Sequence, residues 1–186
     1  MCGCGSWRFG AATASNGAVG LYHIHDLTPE AKIHGESLIV EGAQVYVIDD
    51  AELQRVKDSY PVIWKNPDAS PKLCFMGCPH MSLEQLKSWT DKVEAGLKAS
   101  GNKQVLIPTV FTAAPAVLEE FKKTEYAARL DKCGVITSYI CPLMYMNNPL
   151  CKTMPVITSS NKLRTYTSAK YLSDDEILAA ITKGGN

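Results

Sequence analysis

The chain has 186 residues, 46% of them hydrophobic, which suits one domain, or one domain with an attached arm, and supports a sizeable core. With 19 basic and 19 acidic side chains the net charge is zero, and the absence of any basic, aromatic-rich cluster or bilayer-length apolar run excludes a nucleic-acid binder and a membrane span. Seven cysteines, with Arg8 interrupting any signal-peptide core, point to the cytoplasm, where thiols stay reduced and act as metal ligands, reactive groups or core residues.

Residues 1–12 read as a flexible start of small residues, and 13–71 as an N-terminal segment ahead of the main unit. Met1-Cys2-Gly3-Cys4-Gly5 has no periodicity, so a disordered start is favoured over a metal-binding arm. Gly20 to His25 alternates like a strand, with His23 and His25 on one face. Thr28-Pro29-Glu30 opens a turn or a short helix. Ala43 to Ile48 is apolar and β-branched, a strand pattern. Asp49 or Asp50 then caps a helix to about Tyr60, with Leu53 and Val56 on one face. Three prolines between Pro61 and Pro71 mark a loop and a boundary.

From residue 72 to 186 the pattern is regular. A strand over 72–77 leads to a helix over 82–99, opened by a capping box of Ser82 and Gln85 and striped with Leu83, Leu86, Val93 and Leu97. A strand over 103–111, a helix over 114–131 and a strand over 135–141 follow. A loop over 142–153, a strand over 154–159 and a turn over 160–166 come next. A last helix begins at a second capping box, Ser173 and Glu176, and buries Ile177, Leu178 and Ile181. Strands alternating with helices predict an α/β, three-layer unit with a mostly parallel sheet between flanking helices.

In a parallel sheet the strand carboxyl ends share one edge, where open α/β folds bind ligands. The turns 77–82, 141–143 and 159–164 should therefore meet, bringing Cys78, His80, Ser82, Cys141, Ser160, Lys162 and Arg164 to one rim. Two thiols beside hydroxyls and two cations suit a soft metal and a small anionic substrate. Cys78, on a strand-to-helix turn, should face the positive end of a helix dipole, which lowers a thiol pKa. His80 orients the turn. Other readings stay open. Cys74, Cys78 and Cys141 suit a zinc-binding or thiol redox module, although no second pair follows Cys74-x-x-x-Cys78 at a zinc-site interval. Cys74 and Cys133 also read as core residues, Lys162 and Arg164 as a solvated face, and the chain as a non-catalytic fragment.

Gly77-Cys78-Pro79-His80-Met81-Ser82-Leu83-Glu84 resembles the Gly-Cys-Pro-His-x-Ser-Leu-Glu signature of the aconitase X family. Ala14-Ser15-Asn16-Gly17-Ala18-Val19, Leu21-Tyr22-His23 and Thr28-Pro29-Glu30-Ala31 are similar to further segments of that family. Thr158-Ser159-Ser160-Asn161-Lys162 resembles its Thr-Asn-Ser-Gly-Lys turn, with Asn and Gly replaced. The resemblance runs from about Ala12 to the end and implies an aconitase-like scaffold. It also implies a hydro-lyase that dehydrates a small hydroxy acid, such as a hydroxyproline or mevalonate 5-phosphate, through an iron or iron–sulfur centre held by three cysteines.

On that resemblance Cys78 and Cys141 match two metal ligands, and Ser160 matches the serine placed near the reacting carbon. Ser82, Lys162 and Arg164 are the expected substrate-binding residues, with Lys162 on a carboxylate or phosphate. The chain resembles the C-terminal half of the family's large subunit. A polypeptide supplying the N-terminal half with the third cysteine, a small subunit, or both are the partners this implies.

Overall fold

A computed structural model describes residues 4–184. Five parallel strands form one sheet in the order β3-β2-β1-β4-β5. They are β1 (Leu73–Met81), β2 (Thr109–Ala113), β3 (Val135–Ser138), β4 (Val156–Thr158) and β5 (Lys170–Tyr171). The chain runs outward from β1 to β3, then returns to lay β4 on the other side of β1. This reversal makes the carboxyl ends of β1 and β4 the switch point of the sheet, where a crevice opens.

Two apolar layers hold the sheet. Cys74 and Met76 of β1 face a large core filled by α4 (Leu83–Ser100), α5 (Pro115–Lys122), α6 (Glu125–Lys132) and α10 (Asp174–Lys183). Phe75 faces a smaller core on the opposite side, closed by α7 (Pro142–Met146) and α9 (Asn161–Tyr166). Both predicted capping boxes are present, at Ser82 with Gln85 and at Ser173 with Glu176. Gly101, at φ +73°, ends α4 in the left-handed conformation.

Several elements differ from the sequence expectation. The second strand starts at Thr109 rather than at residue 103, after Pro108, which has no N–H for the ladder but offers its carbonyl to Cys74 N at 2.9 Å. The helix expected over 114–131 breaks into α5 and α6 at Thr124, whose hydroxyl turns back to the Phe121 carbonyl at 2.7 Å. The loop expected over 142–153 holds α7 and α8 (Pro149–Lys152), each opened by a proline at its first position. Ser160 caps α9 where only a turn was expected.

The N-terminal part departs further. Residues 4–12, part of the start expected to be flexible, lie in α1 (Cys4–Gly17). It docks on α9, with Asn16 Oδ1 accepting from Thr165 Oγ1 at 2.9 Å, so a tertiary contact orders an Ala-rich stretch that lacks an apolar stripe. Cys2 lies outside the described residues. The strand expected at Gly20 to His25 is absent; Ile24 N donates to Thr28 Oγ1 at 3.1 Å in a turn that leads into α2 (Pro29–His34). Ala43 to Ile48 forms no strand either, because among the described residues no strand lies beside it. Asp49 then caps α3 (Asp50–Asp58) as expected, accepting from Glu52 N at 2.8 Å.

Candidate functional site

Gly77 breaks β1 just before its site residues. It sits at φ +102°, and a Cβ there would lie 2.6 Å from Thr112 Oγ1, so only glycine fits. The ladder to β2 loses register between Met76 and Met81. In an unbroken strand Cys78 would share a face with Cys74 and Met76. Past the break it turns to the opposite side, into the smaller core with Phe75, Val110, Met146 and Leu163. The Cys78–Pro79 peptide is cis.

Across the switch point, β4 ends at Thr158 and the chain turns into α9. Thr158 Oγ1 accepts from Ser160 N at 3.1 Å and fixes that turn. Ser160 is buried; its hydroxyl donates to the Cys78 backbone carbonyl and accepts from Leu163 N at 3.0 Å. The two strand ends are thereby tied together.

A cleft of about 710 Å³ opens at this junction, lined by Cys78 and His80 at the end of β1, by Ser82 at the cap of α4, and by Ser159, Ser160 and Lys162 in the turn from β4 into α9. The first turn of α4 adds Glu84 and Gln85. Ala12 of α1 and Tyr171 of β5 complete its sides. Sequence reasoning missed these last two, because no motif marks a two-residue strand or the face on which a short terminal helix docks.

Burial pushes the Cys78 thiol up, the Ser160 hydrogen bond pulls it down, Cys141 pushes it up, and the Lys162 ammonium pulls it down. Burial dominates, so the thiol lies above its ordinary value, contrary to the expected dipole effect. These influences also place Cys141 and Lys162 within electrostatic reach of Cys78. Cys141 is half-buried at the start of α7, which crosses back over the sheet from β3 towards β1. His80 is exposed at the cleft mouth, and partial desolvation lowers its pKa, so at neutral pH it is an uncharged imidazole that both donates and accepts.

Arg164 is not among the cleft-lining residues. Its guanidinium lies 4.0 Å over the Tyr60 ring and donates to Asn161 Oδ1 at 2.8 Å and Asn16 Oδ1 at 3.2 Å. It joins α1, α9 and the segment before β1 rather than facing a substrate. Cys74 is fully buried in the large core, where desolvation drives its thiol far up, and it sits across the sheet from Cys78. The zinc set of Cys74, Cys78 and Cys141 is therefore not assembled. Cys133 is a core residue, as expected. Among the described residues no group of three or more His, Cys, Asp or Glu side chains converges. Of the two expected thiol ligands only Cys78 lines the cleft; Cys141 does not, and acts on Cys78 electrostatically from the start of α7, so these donors are too few by themselves to enclose an iron or iron–sulfur centre.

Residues 71–175 match the model of the aconitase X third domain, more than half of the chain. The chain belongs to the aconitase X family. The matched range carries every aconitase X signature residue discussed above from Gly77 to Lys162. Among curated proteins, the phosphomevalonate dehydratase large subunit of Methanosarcina mazei is 37% identical over 143 residues, 73% of this chain and 32% of that protein. Its counterpart in Thermococcus kodakarensis is 31% identical over 110 residues, 59% of this chain and 25% of that protein. The crystal structure of Thermococcus kodakaraensis aconitase X in its holo form superposes with a TM-score of 0.70 at 22% identity, covering 94% of this chain and 43% of that one. That likeness establishes the shared aconitase X fold. The chain spans less than half the length of these relatives.

Proposed function

We propose that this chain is one part of an aconitase X large subunit and forms one wall of a dehydratase site. The complete enzyme removes water from a small hydroxy acid, a phosphorylated one on the strength of the curated relatives' names. The observation that carries this reading is the meeting of Cys78, Ser160 and Lys162 at the sheet's switch point, from turns far apart in sequence.

Dehydration takes a proton from one carbon and hydroxide from its neighbour, leaving a double bond and water. Lys162 holds the anionic group of the substrate, and the amino end of α4, capped by Ser82, adds its dipole to that attraction. Ser160 Oγ, on the cleft wall, takes the part of holding or passing the proton, for which it gives up its bond to the Cys78 carbonyl. His80, neutral, hydrogen-bonds the substrate at the cleft mouth. Arg164 acts as a positioning residue that braces α9, the helix from which Lys162 projects.

Cys78 and Cys141 would supply two thiolates to an iron or iron–sulfur centre whose third ligand comes from outside the described residues. When bound, such a centre supplies Lewis acidity for the departing hydroxyl. The rest of the large subunit and a small subunit are the partners this requires. Cys74, Cys78, Cys133, Cys141 and Cys151 are free thiols, which fits a reducing cytoplasm. No helix among the described residues is long and apolar enough to cross a membrane.

The test is co-expression with the remaining large-subunit part and a small subunit, followed by anaerobic purification and assay. Iron, a visible charge-transfer band and dehydration of mevalonate 5-phosphate, all lost in Cys78→Ser, are expected. Colourless stoichiometric zinc, or a Cys78→Ser variant indistinguishable from the parent, overturns the reading.

A further inference from the structure

The segment Ala43-Gln44-Val45-Tyr46-Val47-Ile48 has the composition of a strand, yet among the described residues it pairs with none. It forms no helix, turn or ladder, and Val45, Tyr46, Val47 and Ile48 are 88%, 69%, 73% and 64% exposed. In a strand, successive side chains would point to opposite faces, which puts Ala43, Val45 and Val47 on a wholly apolar face and Gln44, Tyr46 and Ile48 on the other, where the Tyr46 hydroxyl donates to Glu52. Ile39 and Val40, just before it, are exposed as well. Between residues 9 and 72 the buried side chains are Ala31 and Trp64 alone. This part of the chain has apolar residues in quantity and almost no core of its own, more bare hydrocarbon than a self-sufficient surface carries.

A strand with one wholly apolar face belongs in a sheet whose corresponding face is covered by a core. The chain's own sheet does not offer that place. Its edge strands, β3 and β5, are four and two residues long, too short to pair a six-residue strand, so a second copy of the chain makes a poor host. What the relatives have and this chain lacks is more than half of a large subunit. The segment also precedes the third-domain match, which begins at residue 71.

We propose that residues 43–48 enter, as an added strand, the sheet of a polypeptide outside these 186 residues, namely the remaining part of an aconitase X large subunit. The inference rests on the reading of the chain as one portion of that subunit. The segment is held ready for insertion. Asp49, directly after it, caps α3, and Lys57 of α3 bonds to Glu176 of α10 at 2.8 Å, anchoring the base of the strand to the core. Fixing one end in advance reduces the ordering that docking must supply. Backbone bonds of the added strand would give affinity, and the alternating side chains would give register.

The experiment co-expresses the tagged 186-residue chain with the N-terminal part of the Methanosarcina mazei large subunit, cut before the region this chain matches. The complex is isolated on the tag and its amide exchange is compared with that of the chain alone. A one-to-one complex is expected, with amides of 43–48 slowed about a hundredfold or more. Val45→Lys with Val47→Lys should weaken the complex about tenfold or more. That variant should unfold at the parental temperature when alone, since both side chains are solvated there. Failure to recover the fragment, a complex in which 43–48 exchanges as in the free chain, or protection produced by self-association overturns the inference. A complex with 43–48 unprotected that still dehydrates mevalonate 5-phosphate defeats this inference and leaves the dehydratase reading standing. A protected complex without iron or activity does the reverse.

Discussion

The Ser160 hydroxyl donates to the backbone carbonyl of Cys78, a residue 82 positions earlier, while it accepts from Leu163 N. One side chain thus caps α9 and locks the ends of β1 and β4 together. Ser160→Ala removes both bonds. Loss of the cap costs about 1 kcal/mol, and the Cys78 carbonyl loses its partner in a buried place, which adds to that. Denaturant unfolding should show a lowered midpoint with an unchanged slope.

The Cys78 thiol reports the convergence of the site. Lys162→Met removes a cation that favours the thiolate and should move the Cys78 pKa further up, whereas Cys141→Ala removes an influence that raises it and should move it down. Alkylation by iodoacetamide across pH, resolved peptide by peptide in a mass spectrometer, measures both. Shifts of opposite sign are expected. An unchanged midpoint in both variants would mean that the three residues do not meet.

Gly77→Ala should be severe. The added Cβ would meet the carbonyl and hydroxyl of Thr112, in a backbone conformation that L side chains avoid. Relief requires β1 to separate from β2, so the loss should exceed about 2 kcal/mol. Unfolding melts of Gly77→Ala beside the exposed control Gly42→Ala, which has open space around it, separate crowding from the strain of the left-handed conformation.

The bond between Lys57 and Glu176 predicts an acid-side effect. Partial burial alone would raise the Glu176 carboxyl, but hydrogen bonds from Lys57 and Ser173 outweigh it and hold the group down at about 2, against an ordinary 4.5. A depressed carboxylate stabilises the fold above its unfolded pKa and loses that contribution as pH falls through the folded one. Glu176→Gln should therefore cost about 0.5 kcal/mol at pH 7, a value scaled to a partly exposed pair. The difference should shrink below about pH 4.5 and vanish near pH 2. Thermal melts of parent and variant across that range test the sign.

Local signals in the sequence were strong where a residue acts on its immediate neighbours. The capping boxes at Ser82 and Ser173, the Asp49 cap and the alternation of strands and helices after residue 72 needed nothing distant, and the structure contains them all. The rim of Cys78, Ser82, Ser160 and Lys162 was also legible, because parallel strands must place their carboxyl ends on one edge.

Sequence by itself therefore determined the fold class, the edge that bears the cleft and two of the three turns expected to reach it, 77–82 and 159–164, since periodicity and capping are short-range chemistry. Tertiary structure alone decided which side of the sheet each thiol takes. The register break at Gly77 turns Cys78 away from Cys74, and no pattern along the chain encodes a change of face caused by a neighbouring strand's backbone. It also decided that Arg164 braces α1 rather than facing the cleft. Residues 43–48 are unpaired for a related reason: a strand exists only where another offers it hydrogen bonds, and that partner is not specified by the segment's own residues.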